Sequence, residues 1–188
     1  MTTLDAGFFF AEHASVPMHL GALAVLEGPA PSYQEFADLY AARLSRVARY
    51  RQVVRTAPLQ IFRPAWTDDA NFELGRHVRR AAVRPPGEDQ QLHDMAGKIY
   101  AQPLDRSRPL WEAWMLEGLA GGHWAILFKV HHCMVDGVGG ADLMATVFDL
   151  QPGCGPPARP QVWHPQPEPS LAGALASGLC DAMTVPLP

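Results

Sequence analysis

Cysteine is scarce in this chain, and so is lysine. The cysteines are Cys133, Cys154 and Cys180, an odd number with no CxxC pair. Neither a disulfide framework nor a zinc site is indicated. Lys98 and Lys129 are the only lysines, and a formal net charge of -4 leaves no basic footprint for nucleic acid. Long apolar runs are missing too. No segment approaches the length of a membrane span, and Phe8-Phe9-Phe10-Ala11 is too short for the core of a signal sequence. No basic residue precedes Arg43. The expectation is a cytoplasmic protein, with peripheral association at a membrane or lipid-droplet surface left open. There is no internal repeat.

What the chain does have is apolar substance. Hydrophobic residues make up 48% and charged residues 18%, the balance of a folded protein and not of a disordered one. Its 188 residues suit one domain or one and a half.

The strand-like run His123-Trp124-Ala125-Ile126-Leu127-Phe128-Lys129-Val130 leads into His131-His132-Cys133-Met134-Val135-Asp136-Gly137. Gly137-Val138-Gly139-Gly140 then turns the chain towards a helical pattern from Ala141 to Leu150. Successive strand side chains point to opposite faces. If the strand persists, His132 shares a face with Trp124, Ile126, Phe128 and Val130, and His131 shares the other with Ala125, Leu127 and Lys129. Divergent histidines are poor co-ligands for one metal ion. A neutral imidazole at His132 can accept a proton, since its unperturbed pKa is about 6.5. Cys133 would point away from His132 and reads as a small buried residue. The plain alternative is a buried histidine pair beside a hydrogen-bonded turn aspartate.

Elsewhere, Leu4 to His13 predicts a short helix with Asp5 as N-cap, ended by Ser15-Val16-Pro17. His19 to Glu27 predicts a strand, with His19 as its first residue or, alternatively, as a cleft-lining one. Ser32-Tyr33-Gln34-Glu35 is a capping box before a helix carrying Phe36, Leu39, Tyr40, Leu44 and Val47 on one side. Arg43, Arg46 and Arg49 lie opposite, on a solvated or phosphate-contacting face. Strands are expected at Gln60 to Arg63 and at His77 to Val83. Pro85-Pro86-Gly87 breaks the chain before a second amphipathic helix with Leu92, Met95, Ala96, Ile99 and Tyr100 on one side. Trp111 to Gly118 predicts a strand, joined through a hairpin-type turn at Gly121-Gly122 to the histidine-bearing strand, so the two should pair antiparallel.

The histidine stretch resembles the HHxxxDG signature of acyltransferases built like chloramphenicol acetyltransferase. That superfamily includes nonribosomal-peptide condensation domains and the bacterial wax ester synthase/diacylglycerol acyltransferases. Three further elements resemble the latter family and occur in its order: Leu4-Asp5-Ala6-Gly7-Phe8, then Pro17-Met18-His19-Leu20-Gly21, then Pro103-Leu104-Asp105-Arg106-Ser107-Arg108-Pro109-Leu110-Trp111. Trp66 to Phe72 resembles the family's W-x-x-D-x-x-F stretch. The joint occurrence is far more specific than any one motif.

The resemblance implies an α/β fold (an α+β sandwich): a chloramphenicol acetyltransferase-like half-domain with a mixed, mainly antiparallel sheet flanked by helices. Residues 1–150 would form the N-terminal acyltransferase domain, 151–170 a Pro-rich linker and 171–188 a short apolar helical tail. The family's C-terminal half, which lines the opposite side of the active-site tunnel, would be absent, so the chain would be inactive alone as a half-enzyme or would work as a homodimer or with a complementing C-terminal half. The catalytic motif residues would be His131, His132 and Asp136. His132 would be the general base, and Asp136 with Gly137 would hold the motif loop. Arg108 and Trp111 would be architectural, with Arg108 anchoring a loop by a charge-assisted hydrogen bond. The implied reaction moves a fatty acyl group from acyl-CoA, a co-substrate, to a long-chain alcohol or diacylglycerol. No metal or other cofactor is implied. Two alternatives stand beside it. One is condensation-type transfer from a carrier protein. The other is a non-catalytic module that binds acyl chains or assembles with a partner.

Overall fold

The computed structural model describes residues 1–13, 15–44, 47–56, 63–135 and 163–167. Among these are three helices and six strands: α1 (Thr3–Ala11), β1 (His19–Leu26), α2 (Tyr33–Leu44), β2 (Gln52–Arg55), β3 (Ala65–Asp68), β4 (Val78–Ala82), α3 (Asp89–Ala101), β5 (Trp111–Glu117) and β6 (Trp124–His131). β1, β6, β5 and β4 form one sheet in that order, and β2 pairs with β3 alone. β6 runs antiparallel to both its neighbours, whereas β4 and β5 are parallel. A parallel pair needs a crossover, and α3 is that crossover. The sheet is therefore mixed and mainly antiparallel with helices packed against it, as the resemblance implies.

Both faces of β6 are buried, which is why its sequence is an almost continuous apolar run. Ile126, Phe128 and Val130 pack with Trp111, Ala113 and Met115 of β5 under Phe36, Tyr40 and Leu44 of α2. Ala125 and Leu127 face the other way, with Leu116, against Leu92, Ala96 and Ile99 of α3. Lys129 interrupts the run and is fully buried. Its Nζ donates to the Ile99 carbonyl (3.1 Å) and to that of Gln102, and Glu112 lies 3.8 Å away. A strand lysine thus satisfies carbonyls that a helix leaves open at its C-terminal end.

Trp111 is fully buried and donates its indole N–H to the Tyr50 carbonyl at 2.8 Å. Arg108 donates to Asp105 at 2.8 Å, closing the loop that delivers β5. Gly121 and Gly122 both have positive φ in the β5–β6 connection. Gly87 has φ +77, and a Cβ there would lie 2.1 Å from the Gly118 carbonyl oxygen, so only glycine fits this turn.

Some expectations change, and others fall outside the described residues. The first helix is capped by Thr2, not Asp5. Asp5 sits one turn in and completes a capping box, its amide bonded to Thr2 Oγ1 (3.1 Å) and its carboxylate to the Thr2 hydroxyl (2.6 Å). That helix also ends at Ala11, before Ser15-Val16-Pro17. The strand expected at Gln60 to Arg63 falls mostly on residues 57–62, outside the described residues, and Arg63 is not in a strand. The strands of this region are β2 and β3 on either side. Arg49 lies beyond α2 and stacks on Trp66, its guanidinium 4.1 Å from the ring centroid. Of the Pro-rich stretch, residues 163–167 lie against the β2–β3 pair: Trp163 Nε1 donates to the Asp69 carbonyl (3.1 Å), and the Gln166 amide donates to Asp68 (2.9 Å). The remaining stretch from 168 onward, with the expected helical tail, lies outside the described residues.

Candidate active site

The site is built where β6 ends. His131 is the last residue of the strand, and His132 opens a single 3-10 turn, His132–Met134. The strand does not persist through His132, so the two rings part by a change of backbone and not by strand alternation. His131 keeps the face of Lys129 and is fully buried. His132 is half-buried, with its ring stacked on Phe8 of α1 at 3.8 Å between centroids and 25° between planes.

The His131 ring caps the turn. Its Nδ1 accepts from the Cys133 amide at 3.1 Å, so in the neutral ring the proton sits on Nε2. Nε2 faces the Glu12 carboxylate at 3.4 Å. Burial pushes the His131 pKa down to about 4. Glu12 opposes this, while Arg106, His19 and His132 act in the same direction as burial. The pair is therefore a neutral imidazole N–H beside a carboxylate. Cys133 is buried with Phe9, Val54, Leu104 and Leu110. Burial, then Asp5 and Glu12, push its thiol up to about 12, so it is not a thiolate nucleophile.

Three of the family-like segments meet at this turn. The Leu4-to-Phe8 segment brings Phe8 onto the His132 ring. Met18 of the Pro-Met-His stretch accepts from the His132 amide at 2.7 Å. His19 lies directly opposite His131 across the β1–β6 pair. It is buried, and its Nε2–H donates to the Tyr100 carbonyl at 2.7 Å; burial lowers its pKa. The Pro103-to-Trp111 segment supplies the Leu110 carbonyl that accepts from the His131 amide at 2.9 Å. Asp136 and Gly137 lie outside the described residues. So does the helical pattern after them.

Sequence reasoning missed Glu12 and Arg106. Arg106 donates to the Phe9 carbonyl at 2.9 Å and lies 3.8 Å over the Phe9 ring, tying α1 to the loop before β5. Arg106 acts on Phe9 and Glu12 on His131, partners far away in the chain that no local spacing signals. Among the described residues, no His, Cys, Asp and Glu group is placed to hold a metal ion. Among them, too, no helix is long and apolar enough to cross a membrane.

This arrangement has relatives. The first condensation domain of the calcium-dependent antibiotic synthetase superposes with a TM-score of 0.63 over 78% of this chain and 35% of its own, at 15% identity, and so shares the fold. The wax ester synthase/diacylglycerol acyltransferase from Marinobacter aquaeolei VT8 superposes with a TM-score of 0.67 at 27% identity, over 99% of this chain and 47% of its own. In sequence, residues 1–185 match the wax ester synthase/diacylglycerol acyltransferase catalytic domain, and the chain belongs to that family. A probable diacylglycerol O-acyltransferase of Mycobacterium tuberculosis, tgs1, is 48% identical over 151 residues, 79% of this chain and 33% of its own length. Another from that organism, tgs3, is 35% identical over 189 residues, 99% of this chain and 69% of its own. The chain thus spans about a third of the tgs1 relative and about half of the Marinobacter protein.

Proposed function

We propose that this chain carries the base-bearing part of an O-acyltransferase that moves a fatty acyl group from acyl-CoA to a long-chain alcohol or diacylglycerol. The observation that supports it is the convergence of the Leu4–Phe8, Pro17–Gly21 and Pro103–Trp111 segments on the His131–His132 turn. His132 is the base in this reading. Its Nδ1 is buried with no hydrogen-bond partner among the described residues, which leaves Nε2 to meet the acceptor. Nε2 takes the proton from the acceptor hydroxyl as that oxygen bonds to the thioester carbonyl carbon. The carbon–sulfur bond then breaks, and the proton passes to the departing thiolate, releasing coenzyme A. Base catalysis of this type is worth about 10²–10⁴-fold. His131, neutral and bonded to the turn, is a supporting group and not a second base. No metal or redox cofactor takes part.

In this reading the site is completed by a further portion of the family fold, since the chain spans only about a third of the tgs1 relative and about half of the Marinobacter protein. The reaction is placed at a lipid surface, because both acceptor classes partition there. Leu4, Phe10 and Val16, exposed on and just after α1, offer apolar area for such a surface. The test is thiol release from palmitoyl-CoA with alcohol or diacylglycerol present, for the chain alone and with the complementing half, beside His132→Ala. Acceptor-dependent release that falls about 10²–10⁴-fold in the variant is expected. Equal release by His132→Ala would overturn the assignment. Turnover of carrier-protein thioesters but not of acyl-CoA would move the chain to the condensation-type reaction.

A further inference from the structure

Both amides that flank the His132 side chain lead to one carboxylate. The His132 amide donates to the Met18 carbonyl (2.7 Å), and the Met18 amide donates to Glu12 Oε1 (3.2 Å). The Cys133 amide donates to His131 Nδ1 (3.1 Å), and His131 Nε2 faces Glu12 Oε2 (3.4 Å). Glu12 therefore closes a ring of polar contacts around the His132 backbone, one oxygen on each arm. Its side chain is 8% exposed, and no other carboxylate contacts either arm among the described residues. The same α1 segment carries Phe8, whose ring stacks on the imidazole. Backbone and ring of His132 are thus both referred to α1, and Glu12 is the joint that fixes α1 to the start of β1 and the end of β6.

We infer that Glu12 is a positioning residue for His132, acting through Met18 and His131. The inference rests on the reading of His132 as the base. The geometry is specific about chemistry. A carboxylate can accept from the Met18 amide while facing the His131 Nε2–H, whose 3.4 Å separation is a polar contact and not a formed hydrogen bond, and the NH2 end of a glutamine can do neither. An aspartate is one methylene shorter and cannot span both arms. A misplacement of about 1 Å from a group outside the chemistry can cost about 10²-fold in rate.

The test uses whichever preparation turns over acyl-CoA, the chain alone or with its complementing half. Glu12→Gln and Glu12→Asp should lower kcat by about 10- to 100-fold, with KM for palmitoyl-CoA changed by less than about twofold, since no substrate contact is removed. In a Glu12→Gln/His132→Ala double variant the Glu12 effect should vanish, because a positioned base that is absent cannot be mispositioned. A second readout does not depend on turnover. The His132 imidazole proton resonance, assigned by its loss in His132→Ala, should shift in Glu12→Gln while the folded amide spectrum persists. An unmoved resonance, or a double variant that loses activity additively, would overturn the inference. A shifted resonance with His132→Ala still active would keep the positioning geometry and sink the base assignment.

Discussion

Two neighbouring histidines illustrate how environment divides roles between identical side chains. His131 is fully buried, its Nδ1 committed to the Cys133 amide and its pKa pushed to about 4. It cannot exchange protons near neutrality. Its neutrality also has a stability consequence. Above about pH 6.5 both folded and unfolded chains hold it neutral. Between about 6.5 and 4 the unfolded chain binds a proton that the folded chain refuses, so stability is lost as pH falls through that window. Urea midpoints at pH 7, 5.5 and 4 should fall in that order. The slope should be shallower in His131→Gln, which carries no titrating ring. His19 and His77, both lowered by burial, act in the same direction, so some slope should remain.

At the level of elements, the end of α3 is latched to the start of β1 by reciprocal bonds. The Tyr100 hydroxyl donates to the His19 carbonyl (2.9 Å), and the His19 ring donates to the Tyr100 carbonyl (2.7 Å). The latch needs Gly21, where a Cβ would lie 2.5 Å from the Tyr100 ring. Gly21→Ala should displace that ring and destabilise the chain by about 1–3 kcal/mol. In a Tyr100→Ala background the same change should cost much less, as measured by urea unfolding of the four chains of the cycle. Such latches explain what could and could not be read from sequence. α2, α3 and the β5–β6 hairpin announce themselves by periodicity, the Ser32–Glu35 box and Gly121-Gly122. β2 and β3 have four residues each, too short for alternation to stand out. The α1 start was misplaced because Thr2 and Asp5 are both good caps, and only their reciprocal bonding decides between them. The motif histidines were legible by spacing. Glu12 was not, because its partners Met18 and His131 come together only when β1 pairs with β6.

For the whole molecule, segments from the start, middle and end of the described chain meet at one end of one sheet. In the proposed reading, that convergence supplies the base but only part of what acyl transfer requires. A tetrahedral intermediate needs donors for its oxyanion, and donor and acceptor must be held together in reacting geometry. The tgs1 relative and the Marinobacter protein are longer, and this chain spans 33% and 47% of them. Mixing this chain with a separately produced C-terminal half of the family fold should therefore raise acceptor-dependent thiol release, saturating as the half is titrated in. His132→Ala in this chain should abolish the gain, because the proposed base, His132, belongs to this chain. If the chain alone turned over, with specific activity rising with its own concentration, two copies would be completing the site, and added half would then compete for that surface and not increase the rate.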